Sequence, residues 1–193
     1  MTALPGAPGP LRTERLTLRP LTADDGPALL RFRGDPDATR YLSHAALSPA
    51  ENTARLRTAL AAAEASTAEW FNIGWAIELR ASGEVIGDGR TWNTADPRLP
   101  APGRIPADAA SLGYILHPEH HGLGLGREAA AALVGWLFAG GSRTVFAGVY
   151  EPNLPSRRLL EGLGFEPDRY FTAAEDTAGK ELPSWRYRLD RSW

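Results

Sequence analysis

Between Ser111 and Glu128 the chain reads SLGYILHPEHHGLGLGRE, with glycines at 122, 124 and 126 directly before an alanine-rich segment. That arrangement has a chemical use. The first amide N–H groups of a helix lack partners within it, and the macrodipole adds partial positive charge, so phosphate oxygens can be held without a basic side chain. Alternate glycines also let a ligand approach the main chain closely. Spacing excludes two phosphate motifs. A Walker loop ends in Gly-Lys-Ser or Gly-Lys-Thr, whereas Gly126-Arg127-Glu128 stands here, and a dinucleotide fingerprint counted from Gly122 needs glycine at Arg127.

Other chemistry is narrowed by composition. The 193 residues contain no cysteine, which removes thiol nucleophiles, disulfides and Cys-based zinc sites together. His117, His120 and His121 cluster, but no helical ligand spacing accompanies them and Glu119 is the only nearby carboxylate, so no metal is expected. A net charge of −2 provides no overall field for nucleic acid or anionic lipid, and neither partner is expected. The opening MTALPGAPGP lacks a basic region and an apolar run, so a cytoplasmic location and no membrane segment are expected. Residues 1–10 read as a flexible tail and residues 11–193 as a single domain.

Regular elements must position the glycine turn. Leu16 to Arg19 alternates as a short strand closed by Pro20. Thr22 and Asp25 stand at capping-box spacing and start a helix carrying Ala28, Leu29 and Phe32, while Asp35 before Pro36 offers a second helix start. Ser48, Pro49 and Glu51 open a helix to about Ala65, whose Leu56 and Leu60 share a face. Phe71, Ile73, Trp75, Ile77 and Leu79 occupy every second position of a strand, and Val85 to Asn93 pairs back on it as a hairpin. Thr94 to Asp108, with four prolines, reads as a long loop. Ser111 to Leu116 is a strand, the helix after Gly126 carries Ala129, Leu133 and Leu137 on one face, Arg143 to Val149 is a strand, and Asn153 to Leu163 a helix. Two short strands at Phe165 and at Ser184 to Leu189 complete an α/β chain with a mixed sheet covered by helices.

His121-Gly122-Leu123-Gly124-Leu125-Gly126 resembles the pyrophosphate loop of the GNAT acyltransferase superfamily. After the next strand come Asn153-Leu-Pro-Ser156 and Leu159-Leu160-Glu161-Gly162-Leu163-Gly164-Phe165, which resemble the family's second signature. The opening LRTERLTLRPL is similar to the branch containing ribosomal-protein N-terminal alanine acetyltransferases. The resemblance implies the GNAT fold: a mixed, mostly antiparallel sheet of six to seven strands, splayed between the strands ending near Leu116 and Val149. It further implies an acetyl-CoA-dependent N-acetyltransferase acting on a primary amine, by direct attack in a ternary complex. Backbone amides from His121 through Gly122, Leu123, Gly124, Leu125 and Gly126 to Arg127 would hold the coenzyme A pyrophosphate. Ile115, Leu116 and His117 would pair with the pantetheine arm, and Asn153 would bond it from the other side.

Acyl transfer needs an unprotonated amine and benefits from a proton donor to the leaving thiolate. Where many relatives carry a tyrosine, seven residues after the asparagine, this chain has Leu160. Ser156 is the candidate acid, by resemblance; a serine early in a helix also serves as a simple cap. Glu175 is the candidate base, with Asp176, Glu78 and Asp88 as others, and for each the competing role is a solvated surface charge. Tyr114 and Trp92 suit either an acceptor pocket or the core. Arg127, Arg157 and Arg158 suit either the phosphates or solvent, with Arg158 assigned to the coenzyme. A catalytically inactive acyl-CoA-binding module of the same fold is the alternative function. Trp70, Trp75 and Trp92 suit either a core or the face of a homodimer.

Overall fold

The computed structural model describes residues 8–67, 70–93 and 108–191. Its strands are β1 (Leu11–Arg12), β2 (Leu16–Pro20), β3 (Asn72–Leu79), β4 (Val85–Trp92), β5 (Ala109–Leu116), β6 (Thr144–Tyr150), β7 (Glu166–Phe171) and β8 (Ser184–Asp190). The helices are α1 (Gly26–Arg33), α2 (Pro49–Glu64), α3 (Leu125–Ala139) and α4 (Leu154–Gly162). One sheet runs in the order β1-β2-β3-β4-β5-β6-β8-β7, antiparallel throughout except for the parallel pair β5–β6.

Among the described residues eight strands stand where the sequence predicts six to seven. The addition is β1, whose two residues pair with Leu18 and Thr17 and are too few to display an alternation. The second helix start is also corrected. Asp35 Oδ1 accepts from the amides of Asp37 at 2.7 Å and Ala38 at 2.9 Å, a local turn that ends without a helix. The predicted loop from Thr94 to Asp108 lies, apart from Asp108, outside the described residues.

Both faces of the sheet are covered. Ile73, Trp75 and Ile77 of β3 and Leu112 and Leu116 of β5 pack with Leu125, Ala129, Leu133 and Leu137 of α3 and with Leu160 of α4. On the opposite face Leu29 and Phe32 of α1 and Leu56 of α2 meet Ala76 and Ile115. Period-two alternation in β3 and period-3.6 spacing in α3 therefore place the same residues inside that the sequence marks as apolar faces. Trp75 is fully buried in the core, whereas Trp92, also buried, lines the cavity described below. Among the described residues no helix is long and apolar enough to cross a membrane.

Candidate functional site

β5 and β6 separate halfway along their length. They pair from Ala109 with Thr144 to Leu112 with Ala147, and there the pairing stops. Beyond that point β5 stays with β4 as far as Leu116, and β6 stays with β8 as far as Tyr150. The β6-facing edge from Gly113 to Leu116 therefore has no strand partner among the described residues, and its main-chain groups border a gap. That gap belongs to a continuous cavity of about 1570 Å³.

The glycine turn stands at one mouth of the cavity. After a 3-10 turn at Pro118–His120, Gly122 and Gly124 adopt φ of 74° and 76°, a left-handed conformation that a Cβ disfavours. Gly124 is the residue from which α3 starts, and space beside the Cα of Gly122 is open. The amides from Gly122 to Arg127 find no acceptor among the described residues. Side chains nearby brace the turn. His121 Nε2 donates to the Leu116 carbonyl at 2.9 Å, a contact that fixes the proton on Nε2 because a carbonyl can only accept. Arg15 donates to the Leu123 carbonyl at 2.8 Å and pairs with Glu128 at 2.7 Å. Glu128 also accepts from Thr13 Oγ1 at 2.5 Å and from the Arg15 amide at 2.8 Å. Burial alone would raise the Glu128 carboxyl, but these donors hold it below the usual range.

Several of the residues assigned to the coenzyme offer only their backbone. Ile115, Leu116 and Leu125 bury their side chains in the core, while Leu123 projects outward. Arg127 turns its guanidinium to the Gly162 carbonyl at 2.8 Å, capping the end of α4. Arg158 lines the cavity, whereas Arg157 is engaged by Tyr187 and the Glu151 carbonyl. His117 accepts the Glu119 amide at its Nδ1, 3.3 Å away.

Across the gap, the Asn153 side chain caps α4, its Oδ1 accepting from the Ser156 backbone amide at 3.3 Å, and its side-chain Nδ2 has no partner among the described residues. Ser156 Oγ lies 3.1 Å from Tyr114 Oη. The pair joins β5 to α4 over the cavity. Burial pushes the Tyr114 phenol above its usual pKa, with Ser156 opposing, so the phenol keeps its proton at neutral pH. Leu160 is fully buried in the core. Sequence spacing puts Tyr114 on the same strand face as Leu112 and Leu116, but carries no sign of a partner 42 residues away.

Each carboxylate considered as a base is already engaged. Glu175 closes a capping box, accepting from the Thr172 amide at 2.8 Å and hydroxyl at 3.0 Å, and lies 3.9 Å from Arg169. Those donors hold its carboxyl below the usual range. Asp176 accepts from Tyr150 Oη at 3.1 Å and from the amides of Ala178 and Lys180. Burial would raise the Asp176 carboxyl, but the bonds prevail and lower it. Glu78 pairs with Arg19 at 2.7 Å. Asp88 pairs with Arg33 on the face covered by α1 and α2.

Residues 15–166 match the family described as an acetyltransferase (GNAT) domain. The uncharacterized N-acetyltransferase p20 of Bacillus licheniformis is 27% identical over 180 residues, covering 93% of this chain and 94% of its own length. Among solved structures, a GNAT-family acetyltransferase from Bacillus anthracis superposes with a TM-score of 0.76 at 17% identity, covering 94% of this chain and 98% of that one. Mycobacterium smegmatis RimJ, solved with CoA-disulfide, superposes with a TM-score of 0.71 at 20% identity, covering 94% of this chain and 86% of the other.

Proposed function

The chain belongs to the GNAT acetyltransferase family, and we propose that it acetylates a primary amine by direct attack within a ternary complex. The observation that carries this reading is the half-paired β5–β6 junction with unpartnered turn amides at its mouth. Acetyl-CoA, when bound, supplies a thioester carbonyl already activated for attack by nitrogen.

The chain's own groups divide the remaining work. Amides from Gly122 to Arg127 hold the pyrophosphate, with Arg158 adding charge from α4. The free edge of β5, through Ile115, Leu116 and His117, pairs with the pantetheine arm, and the Asn153 amide bonds that arm from the opposite side. Ser156 Oγ is the proton donor to the departing sulfur, and Tyr114 Oη orients it at 3.1 Å. Glu175 and Asp176 are too well supplied with donors to accept a proton readily near neutrality, so we assign deprotonation of the amine to water in the cleft.

Purified protein mixed with acetyl-CoA and a panel of primary amines should release thiol in proportion to acetylated product. Tight coenzyme binding by calorimetry, with no thiol release on any amine, would instead favour a binding module without catalysis.

A further inference from the structure

On the α1 and α2 side of the gap the cavity wall carries arginines. Arg33 ends α1, lines the cavity and is only 6% exposed. Its Nε and Nη2 both bond the same oxygen of Asp88, Oδ2, which leaves Nη1 buried without a partner among the described residues. Oδ1 of Asp88 likewise receives no donor from the described residues. Arg55, from α2, lines the same cavity and makes no ion pair among the described residues. Arg55 is open to solvent, yet the protein surrounding the cleft, and Arg33 after it, hold its guanidinium below the usual arginine value.

The neighbours do not neutralise this wall. His44, on the segment joining α1 to α2, is pushed down by burial first and by Arg55 and Arg33 afterwards. Arg90 is occupied by Asn72 Oδ1 at 2.7 Å and lies over the Trp92 ring. Arg40 is paired with Asp37. Two guanidinium groups thus face one carboxylate of which one oxygen is free. A planar carboxylate matches a guanidinium fork better than a neutral group does.

We propose that the acceptor amine also carries a carboxylate, bound by Arg55 at the cavity wall beside the Arg33–Asp88 pair, while Asp88 Oδ1 receives its ammonium group before the proton passes to water. The assignment rests on the acetyl-transfer reading and names the substrate class for the same cleft.

The test compares matched primary amines in which a remote carboxylate is replaced by a carboxamide. The ratio of kcat/KM, carboxylate over carboxamide, should be about tenfold or more, carried by KM. Arg55→Gln should bring the ratio towards one. Arg57→Gln, an exposed charge on α2 outside the cavity, should leave it unchanged. A ratio near one in the native protein overturns the proposal, and so does a preference for an aminoalkyl phosphate over the carboxylate. Calorimetry with the N-acetylated carboxylate and its carboxamide needs no turnover. A binding preference for the carboxylate without acetylation of any amine would sink acetyl transfer and leave the carboxylate site standing, whereas acetylation and binding without that preference would sink the carboxylate site alone.

Discussion

Ser156 has, at 3.1 Å, a neighbour able to fix its hydroxyl: Tyr114 Oη. The proton held there is durable. Burial raises the phenol above its usual pKa of about 10, so the protonated form persists below that value and is lost only above it. Ser156→Ala should therefore lower kcat by roughly 10²-fold, within the span of general acid catalysis. Tyr114→Phe should cost less, and the double variant should lose no more than Ser156→Ala alone, since the two act as one unit. The pH profile of kcat should rise with deprotonation of the acceptor amine and show no descending limb below about pH 10. Stopped assays of thiol release across pH 6 to about 10 would check each expectation. A plateau near neutrality would instead reveal a protein base. At this scale the sequence was partly legible: resemblance pointed to Ser156, whereas Tyr114 became its partner only through folding. Arg33 and Arg55 were not legible at all, because arginines in helices carry no mark of which face meets a cavity.

Among the elements, α3 matters most, and its first turn is tied to the hairpin of β1 and β2. Glu128 takes Thr13, the Arg15 amide and the Arg15 guanidinium, while Arg15 also holds the Leu123 carbonyl. Arg15 is half exposed, so the ion pair itself is screened and the part-buried Thr13 bond carries more of the effect. Glu128→Gln should lower stability at pH 7 by about 1–2 kcal/mol and weaken coenzyme binding. The sign of the pH dependence follows from the direction of the shift. Because the folded carboxyl lies below its unfolded value of about 4.3, its contribution is present above that pH and disappears as pH falls through the folded value. Thermal melts between pH 7 and pH 3 should therefore decline less steeply in the variant than in the native chain. The elements were legible where their periods were long, as in β3 and α3. The two-residue β1 and the turn at Asp35 were not, since one is too short for periodicity and the other borrows a helix-start residue for an Asx turn.

For the whole molecule, a coenzyme that binds only the folded chain must stabilise it. At a hundredfold excess over Kd the gain is about 2.7 kcal/mol, which for a chain of 193 residues corresponds to a rise in Tm of about 5–10 °C. Scanning fluorimetry with coenzyme A would measure it, and an unchanged Tm at millimolar ligand would contradict the assigned turn. The architecture as a whole was readable because apolar alternation and caps agree from element to element. The mutual approach of β5, α4 and α1 around one cavity was not, since register across distant elements leaves no local trace.

The half-length union of β5 with β6 has one more consequence. Among the described residues a passage set by strand register exists before any visitor arrives, and association through it should follow diffusion and charge.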